Sequence, residues 1–330
     1  MQIFINFIFL IVGFVFLIKG ADYFVVSSSS IARKFHVSPL IIGLTLVAFG
    51  TSLPELAVSF AASLTVAPGA TADIAMGNVI GSNIVNITLI LGLSAVVMPV
   101  MVKKSMNKQE FPFLIGITVL ISVLAIFFQA DAQIARWEAV ILLLFFVYYL
   151  YLMFRGTKGE EFNQEIHIVD VKKAVILLVI GIAGVSIGGY LVTSGAEFLA
   201  IELLVKGFDI NQSKAVTLVG LSIVALGTSL PELVTSVIAA KKGENEIALG
   251  NVVGSNIFNV LFILGLSGVV TPLGINNDVL IDTVLLIGIT ITAVVFSITH
   301  QKITKLEGWI LVIIYAAYII YISLRALGLL

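Results

Sequence analysis

Long apolar runs, separated by short clusters of charged and turn-forming residues, occupy almost the whole chain. Reading the breaks between them predicts ten spans, at about 4–27, 40–64, 74–99, 111–129, 135–154, 173–204, 214–240, 246–271, 279–298 and 307–327. Each approaches or exceeds the roughly 20 residues that carry a helix across the hydrocarbon core. The first run is apolar from Ile3 and its first basic residue is Lys19, whereas a secretory signal begins with positive charge. It reads as a retained first span. The one long polar stretch, residues 155–172 (RGTKGEEFNQEIHIVDVK), is too short to fold alone. It reads as a cytoplasmic linker between two five-span halves, 1–154 and 173–330.

Composition agrees with this all-α membrane fold. Of 330 residues, 59% are hydrophobic and 11% charged, against about 25% charged in soluble domains; the mean hydropathy is +1.15. The lipid bilayer is therefore the expected surround. No basic patch supports nucleic acid binding. The absence of cysteine removes disulfides and thiolate-bound zinc. Nothing points to an enzyme, a cofactor or an obligatory protein partner.

The basic residues set an orientation. With the amino terminus outside, the inner loops hold Arg33, Lys34, Lys103, Lys104, Lys108, Arg155, Lys158, Lys172, Lys173, Lys241, Lys242, Lys302 and Lys305. The outer loops keep only Arg136, Lys206, Lys214 and Arg325. Positive charge accumulates in cytoplasmic loops, so both termini are expected outside a cell membrane.

A repeat organises the chain. GTSLPEL at 50–56 recurs letter for letter at 227–233, and GNVIGSNIVN at 77–86 recurs as GNVVGSNIFN at 250–259. A weaker echo sets Gly20-Ala21-Asp22 against Gly195-Ala196-Glu197. Five spans per half is an odd number, so the halves must enter the membrane in opposite senses. Inverted repeats of this kind mark secondary transporters, whose sites lie at the midplane where broken helices meet. Glu55, Asn86, Glu232 and Asn259 all fall near the middle of their spans, where a carboxylate is costly unless protein, water or a cation compensates it.

The residue types suit a hard cation. Pro54 lacks an N–H and crowds the carbonyl four residues back, freeing backbone near Gly50. Thr51 and Ser52 add hydroxyls and Glu55 a carboxylate; Gly227 to Glu232, with Thr228 and Ser229, repeats the set. Gly77, Gly81, Gly250 and Gly254 allow close approach, while Ser82, Asn86, Ser255 and Asn259 supply neutral oxygens. Two carboxylates among many neutral oxygens, without sulfur or histidine, point to calcium or sodium rather than zinc or copper. Plainer readings exist. Ser52-x-x-Glu55 and Ser229-x-x-Glu232 also fit a helix capping box. Gly77-xxx-Gly81 and Gly250-xxx-Gly254 fit helix packing. Asp22, Glu197 and Glu202, near span ends, fit snorkelling to water.

With GTSLPE and GNVxGSN together, the chain resembles the cation/calcium exchanger superfamily and, within it, the sodium/calcium exchangers. The resemblance covers nearly the whole chain. It implies a core of the second, third, seventh and eighth helices around the ions, with the first and sixth sliding across it as a gating pair. It further implies Glu55 and Glu232 as central acids, with Thr51, Ser52, Thr228 and Ser229 as hydroxyl ligands. Ala48 and Ala225 would add backbone carbonyls, and Ser82, Asn86, Ser255 and Asn259 the remainder. The transported ions would be calcium and sodium. A proton/calcium exchanger is the nearest alternative, although those members usually carry GNATE around the acid; a passive channel is more distant. The large regulatory domain of animal exchangers has no counterpart in the short linker. Position 259 is Asn where potassium-dependent members, and some microbial exchangers, carry an acid.

Overall fold

The backbone of this chain must satisfy its own hydrogen bonds wherever lipid surrounds it, and helices do so within one segment. The computed structural model describes residues 2–67, 70–127, 133–155, 170–208 and 225–326, with positions 212, 219 and 329. Its helices are α1 Gln2–Lys34, α2 Pro39–Thr51, α3 Leu53–Thr65, α4 Asp73–Val97, α5 Phe111–Phe127 and α6 Arg136–Arg155. They continue as α7 Val171–Gly207, α8 Ala225–Thr228, α9 Leu230–Lys241, α10 Asn245–Val270, α11 Asn277–His300 and α12 Lys305–Ala326. Seven described helices are long and apolar enough to cross a membrane, eight if α2 and α3 form one bent span. The run expected at 111–129 appears as α5, 17 residues long. The run expected at 214–240 lies largely outside the described residues up to Ala225, and the 155–172 linker almost entirely so.

Burial sorts the helices into an inner and an outer set. The most apolar windows of α4 and α10 are 78% and 83% buried, those of α1 and α12 only 17% each. Apolar side chains such as Ile3, Phe4 and Phe7 on α1 are exposed, as a lipid-facing helix requires. The helices carrying the two GNVxGSN motifs are thus enclosed by protein.

Both proline-containing motifs break their helices. α2 and α3 meet at 51°, with Ser52 at φ −83°, ψ 10°. Ser229, between α8 and α9, adopts φ −88°, ψ 6°. One residue per break leaves the helical region, and Pro54 and Pro231 at the start of the following helix explain why. Wide, five-residue turns interrupt α4 at Asn86–Ile90 and α10 at Asn259–Ile263. Such π-type turns shift the side-chain register and concentrate at functional sites.

Glycines set the helix crossings. An added Cβ at Gly20 on α1 would lie 2.7 Å from the Val185 nitrogen on α7, and one at Gly188 2.6 Å from the Leu17 nitrogen. The two backbones touch, as small-residue membrane crossings allow. Gly250 and Gly254 likewise seat α10 on α2, with added Cβ atoms 2.7 Å from the Leu40 oxygen and 2.5 Å from the Leu44 oxygen. Gly77 and Gly81 do not pack: nothing lies within 4 Å of an added Cβ at either. The expectation of close approach therefore holds for the second copy and fails for the first, whose glycines border a cavity.

The all-α expectation also missed four two-residue strands. β1 Val100–Met101 pairs antiparallel with β4 Lys302–Ile303, and β2 Gln133–Ile134 with β3 Leu273–Gly274. Each joins a first-half loop to a second-half loop, and segments this short carry no alternation from which to read a strand.

Gly20→Ala is expected to destabilise the protein by about 1–3 kcal/mol through overpacking against backbone. Gly116→Ala, where an added Cβ meets nothing, is expected to leave the thermal unfolding midpoint in detergent unchanged.

Candidate ion-binding site

Glu55 lies in the first turn of α3 and Glu232 in the first turn of α9, directly after the breaks, and each is 1% exposed. Their partners come from the opposite half. The Ser229 hydroxyl donates to Glu55 Oε1 at 2.8 Å, and the Ser52 hydroxyl donates to Glu232 Oε1 at 2.8 Å. Ser82 Oγ adds a longer bond to Glu55 Oε1 at 3.4 Å. Neither Ser52 nor Ser229 caps its own helix, so the capping-box reading is replaced by this exchange of hydroxyls. Thr51 stands beside Glu232, and Thr228 beside Glu55.

The second oxygen of each acid is left over. Glu55 Oε2 and Glu232 Oε2 are buried without a hydrogen-bond partner, as are Asn86 Oδ1, Asn259 Oδ1 and Ser255 Oγ. Unpaired buried acceptors are costly, and unpaired carboxylate oxygens most of all. Two carboxylates close enough to repel one another sharpen the demand. Among the described residues no Lys, Arg or His bonds to either acid, so a proton or a cation is left as their means of neutralisation. Carboxylate, amide and hydroxyl oxygens are the donors that hard cations prefer.

The structure brings most of the expected set to these two breaks and ranks its members. Glu55, Glu232, Asn86, Asn259 and Ser255 carry open oxygens. Ser52, Ser229 and Ser82 are engaged with the acids. The Thr51 hydroxyl bonds to Asn251 Oδ1 at 3.0 Å and to the Val47 carbonyl at 3.1 Å. The Ala48 carbonyl accepts from the Ser52 N–H at 3.0 Å and from the Thr51 hydroxyl at 3.4 Å. Across the repeat the Ser229 N–H turns to Leu226 instead, at 3.1 Å, sparing the Ala225 carbonyl that bond. Thr228 lines two cavities, of about 530 and 580 Å³, which share it and Val58.

Four asparagines escaped the sequence reading. Asn78 donates to the Ser59 hydroxyl at 2.9 Å and to the Glu55 carbonyl at 3.2 Å; Asn251 does the same to Ser236 at 2.8 Å and to the Glu232 carbonyl at 3.4 Å. They pin the half-helices that carry the acids. Asn83 and Asn256 bind each other's backbone carbonyls at 3.3 and 3.4 Å. Their side-chain oxygens accept from Asn259 Nδ2 at 3.0 Å and Asn86 Nδ2 at 2.9 Å. With both amide nitrogens so engaged, Asn86 and Asn259 turn their oxygens outward from the clamp. The available signal was identity: all four letters recur in both GNVxGSN copies.

Comparison with known proteins places the whole chain among its relatives. The family model described as sodium/calcium exchanger protein matches residues 5–155 and 173–324. A putative antiporter, CaxA, of Alkalimonas amylolytica is 37% identical over 94% of this chain and 96% of its own. The sodium/calcium exchanger MaX1 of Methanosarcina acetivorans is 34% identical over 96% and 98%. The solved structure of the sodium-calcium exchanger NCX_Mj soaked with sodium and strontium superposes with a TM-score of 0.80 at 33% identity, covering 96% of this chain and 98% of that one.

Asn251→Ala strips Ser236, the Glu232 carbonyl and Thr51 of a partner, so a loss of about 1–3 kcal/mol is expected. Thermal unfolding in detergent checks it, with Ser122→Ala, a substitution remote from the acids, as the reference.

Proposed function

Because the chain belongs to the sodium/calcium exchanger family, we propose that it is a secondary active antiporter that exchanges sodium for calcium by alternating access and extrudes calcium. The observation that carries this reading is the set of open buried oxygens on Glu55, Glu232, Asn86, Asn259 and Ser255. Calcium would bring two positive charges to two carboxylates and accept the neutral oxygens besides. Sodium would compete for the same atoms, so that binding of one favours release of the other. If more than two sodium ions return per calcium, transport moves net charge, and each charge gains about 2.3 kcal/mol per 100 mV.

The proposed architecture is ten spans in two inverted halves, with the breaks at the membrane midplane. The reciprocal hydroxyl bonds, the reciprocal asparagine clamp and the separate family matches on either side of the linker support it. The strand pairings support the sidedness. β1 with β4 joins two loops expected inside, and β2 with β3 joins two expected outside. The termini are accordingly extracytoplasmic, and an impermeant thiol reagent on intact cells is expected to spare a cysteine at position 160 and label one at position 3.

The deciding measurement is calcium flux in proteoliposomes under sodium, proton and potassium gradients imposed in turn. Sodium alone is expected to drive calcium; uptake driven by pH in sodium-free medium would instead make it a proton/calcium exchanger, and non-saturable flux a channel. Glu55→Gln and Glu232→Gln are each expected to reduce exchange by at least a hundredfold while the protein still inserts and folds. Near-normal exchange in either variant would remove that acid from the mechanism.

Exchange is also expected to persist when choline replaces potassium on both sides. Asn259 offers a neutral amide oxygen, and adding potassium to a filled site without a further acid leaves excess charge in a low-dielectric region. Loss of flux without potassium under clamped voltage would contradict this.

A further inference from the structure

The weak echo between Asp22 and Glu197 acquires different surroundings in the two halves. Asp22 on α1 is taken up by Lys242, at 2.7 Å. The same turn carries Glu244, bonded to Arg33 at 3.0 Å and to Ser29 at 2.7 Å. Just beyond it Glu246 holds Lys103 at 2.9 Å. Beneath these pairs Phe24, Val25, Val47, Ala239, Ala240, Ile247 and Ala248 form a closed apolar cluster. At this end the charges are paired over buried apolar packing.

Glu197 stands at the other end. α1 and α7 run antiparallel, with Gly20 against Gly184 and Val185, and Gly195 against Asn6. Asp22 is therefore level with about residue 183, which puts Glu197 about 21 Å further along α7 at 1.5 Å per residue. There it lines the cavity of about 580 Å³ whose other walls include Pro54, Gly227, Thr228 and Pro231, the residues of the two helix breaks. Gly189 on α7 packs on Pro231, so Glu197 lies about 12 Å along the helix above the break. Among the described residues it has no ion pair. Among the described residues the remaining polar lining, Ser186, Tyr190, Thr193 and Ser194, is neutral, and the Ser186 hydroxyl is buried without a partner. The counterpart of Lys242 in the first half falls within Thr65–Gly69, which holds no basic residue, so no equivalent lysine waits for Glu197.

We propose that Glu197 is the capture carboxylate of the open entrance, drawing calcium and sodium from solution into the cavity that ends at Thr228, the residue beside Glu55. This rests on the exchanger reading but adds a residue outside the ion site. A lone carboxylate on a low-dielectric wall lowers the potential along the path and raises the local cation concentration, an effect that salt screens. The path lies along α7, so the charge acts whenever this face is open and has no role when it is sealed.

The chain has no native cysteine, so Ser194→Cys in the same cavity serves as a probe that does not depend on transport. At low ionic strength, Glu197→Gln is expected to lower the ratio of labelling rates for cationic over anionic methanethiosulfonates about threefold to tenfold. Glu197→Asp is expected to keep the ratio, and so is Asp22→Asn. In flux assays on vesicles of both orientations, Glu197→Gln is expected to raise half-saturating calcium by a similar factor on its own face only, with the maximal rate within twofold. An unchanged labelling ratio, or equal losses at both faces, would overturn the proposal. A ratio that responds to Glu197 in a protein that moves no calcium against sodium would remove the exchanger reading and leave the capture of cations standing.

Discussion

Two carboxylates sit in the protein interior, each with one oxygen bound by a serine and one oxygen bound by nothing. In a low-dielectric surround an ionised acid with an open oxygen is unstable unless a counter-charge reaches it. No basic side chain among the described residues does. The rest of the structure follows from holding this unfavourable arrangement in place, because a chain free to relax would turn the acids to water or give them internal donors.

That holding is done by exchange between halves. Ser52 follows α2 but bonds to Glu232, and Ser229 follows α8 but bonds to Glu55. Neither half can complete its own acid. Asn83 and Asn256 repeat the exchange one layer away, each gripping the other's backbone and orienting the other half's π-turn asparagine. Because α4 and α10 are the most enclosed helices, this clamp has no lipid or water with which to trade its bonds. A break on one side is therefore positioned by residues about 175 places away, and damage to one copy is felt at the other.

This distance explains what the sequence could and could not reveal. Pro54 and Pro231 act within one turn of their own positions, so the breaks and the acids after them were legible. The long apolar runs made the helices legible too, with limits set by the local hydropathy. Partnership across halves leaves no local trace. Ser52-x-x-Glu55 has the spacing of a self-contained cap, and only coordinates reveal that its hydroxyl points to the other acid. Asn78, Asn83, Asn251 and Asn256 are chemically ordinary beside Ser82 and Asn86, and what sets them apart is which backbone they reach. The loop strands, two residues each, are fixed by the meeting of helix ends and not by propensity.

The glycines carry the last step. Gly77 and Gly81 match Gly250 and Gly254 in the shared GNVxGSN context, yet the second pair is filled by α2 and the first borders open space. Sequence cannot distinguish them, because identical residues have identical intrinsic preferences. On the alternating-access reading, the difference belongs to the conformation. A cavity on one face and close backbone contact on the other is what a two-fold repeat must adopt if its central acids are to meet solution from one side at a time. One pair of sequence counterparts differs likewise, since Asp22 is held by Lys242 while Glu197 lies in the cavity wall without an ion pair among the described residues. A glycine is the residue that tolerates both environments: it admits a helix backbone at under 3 Å when the face is shut and adds no apolar surface to the path when it is open. On the alternating-access reading, an added methyl at position 77 or 81 would fit the present state and obstruct its mirror image.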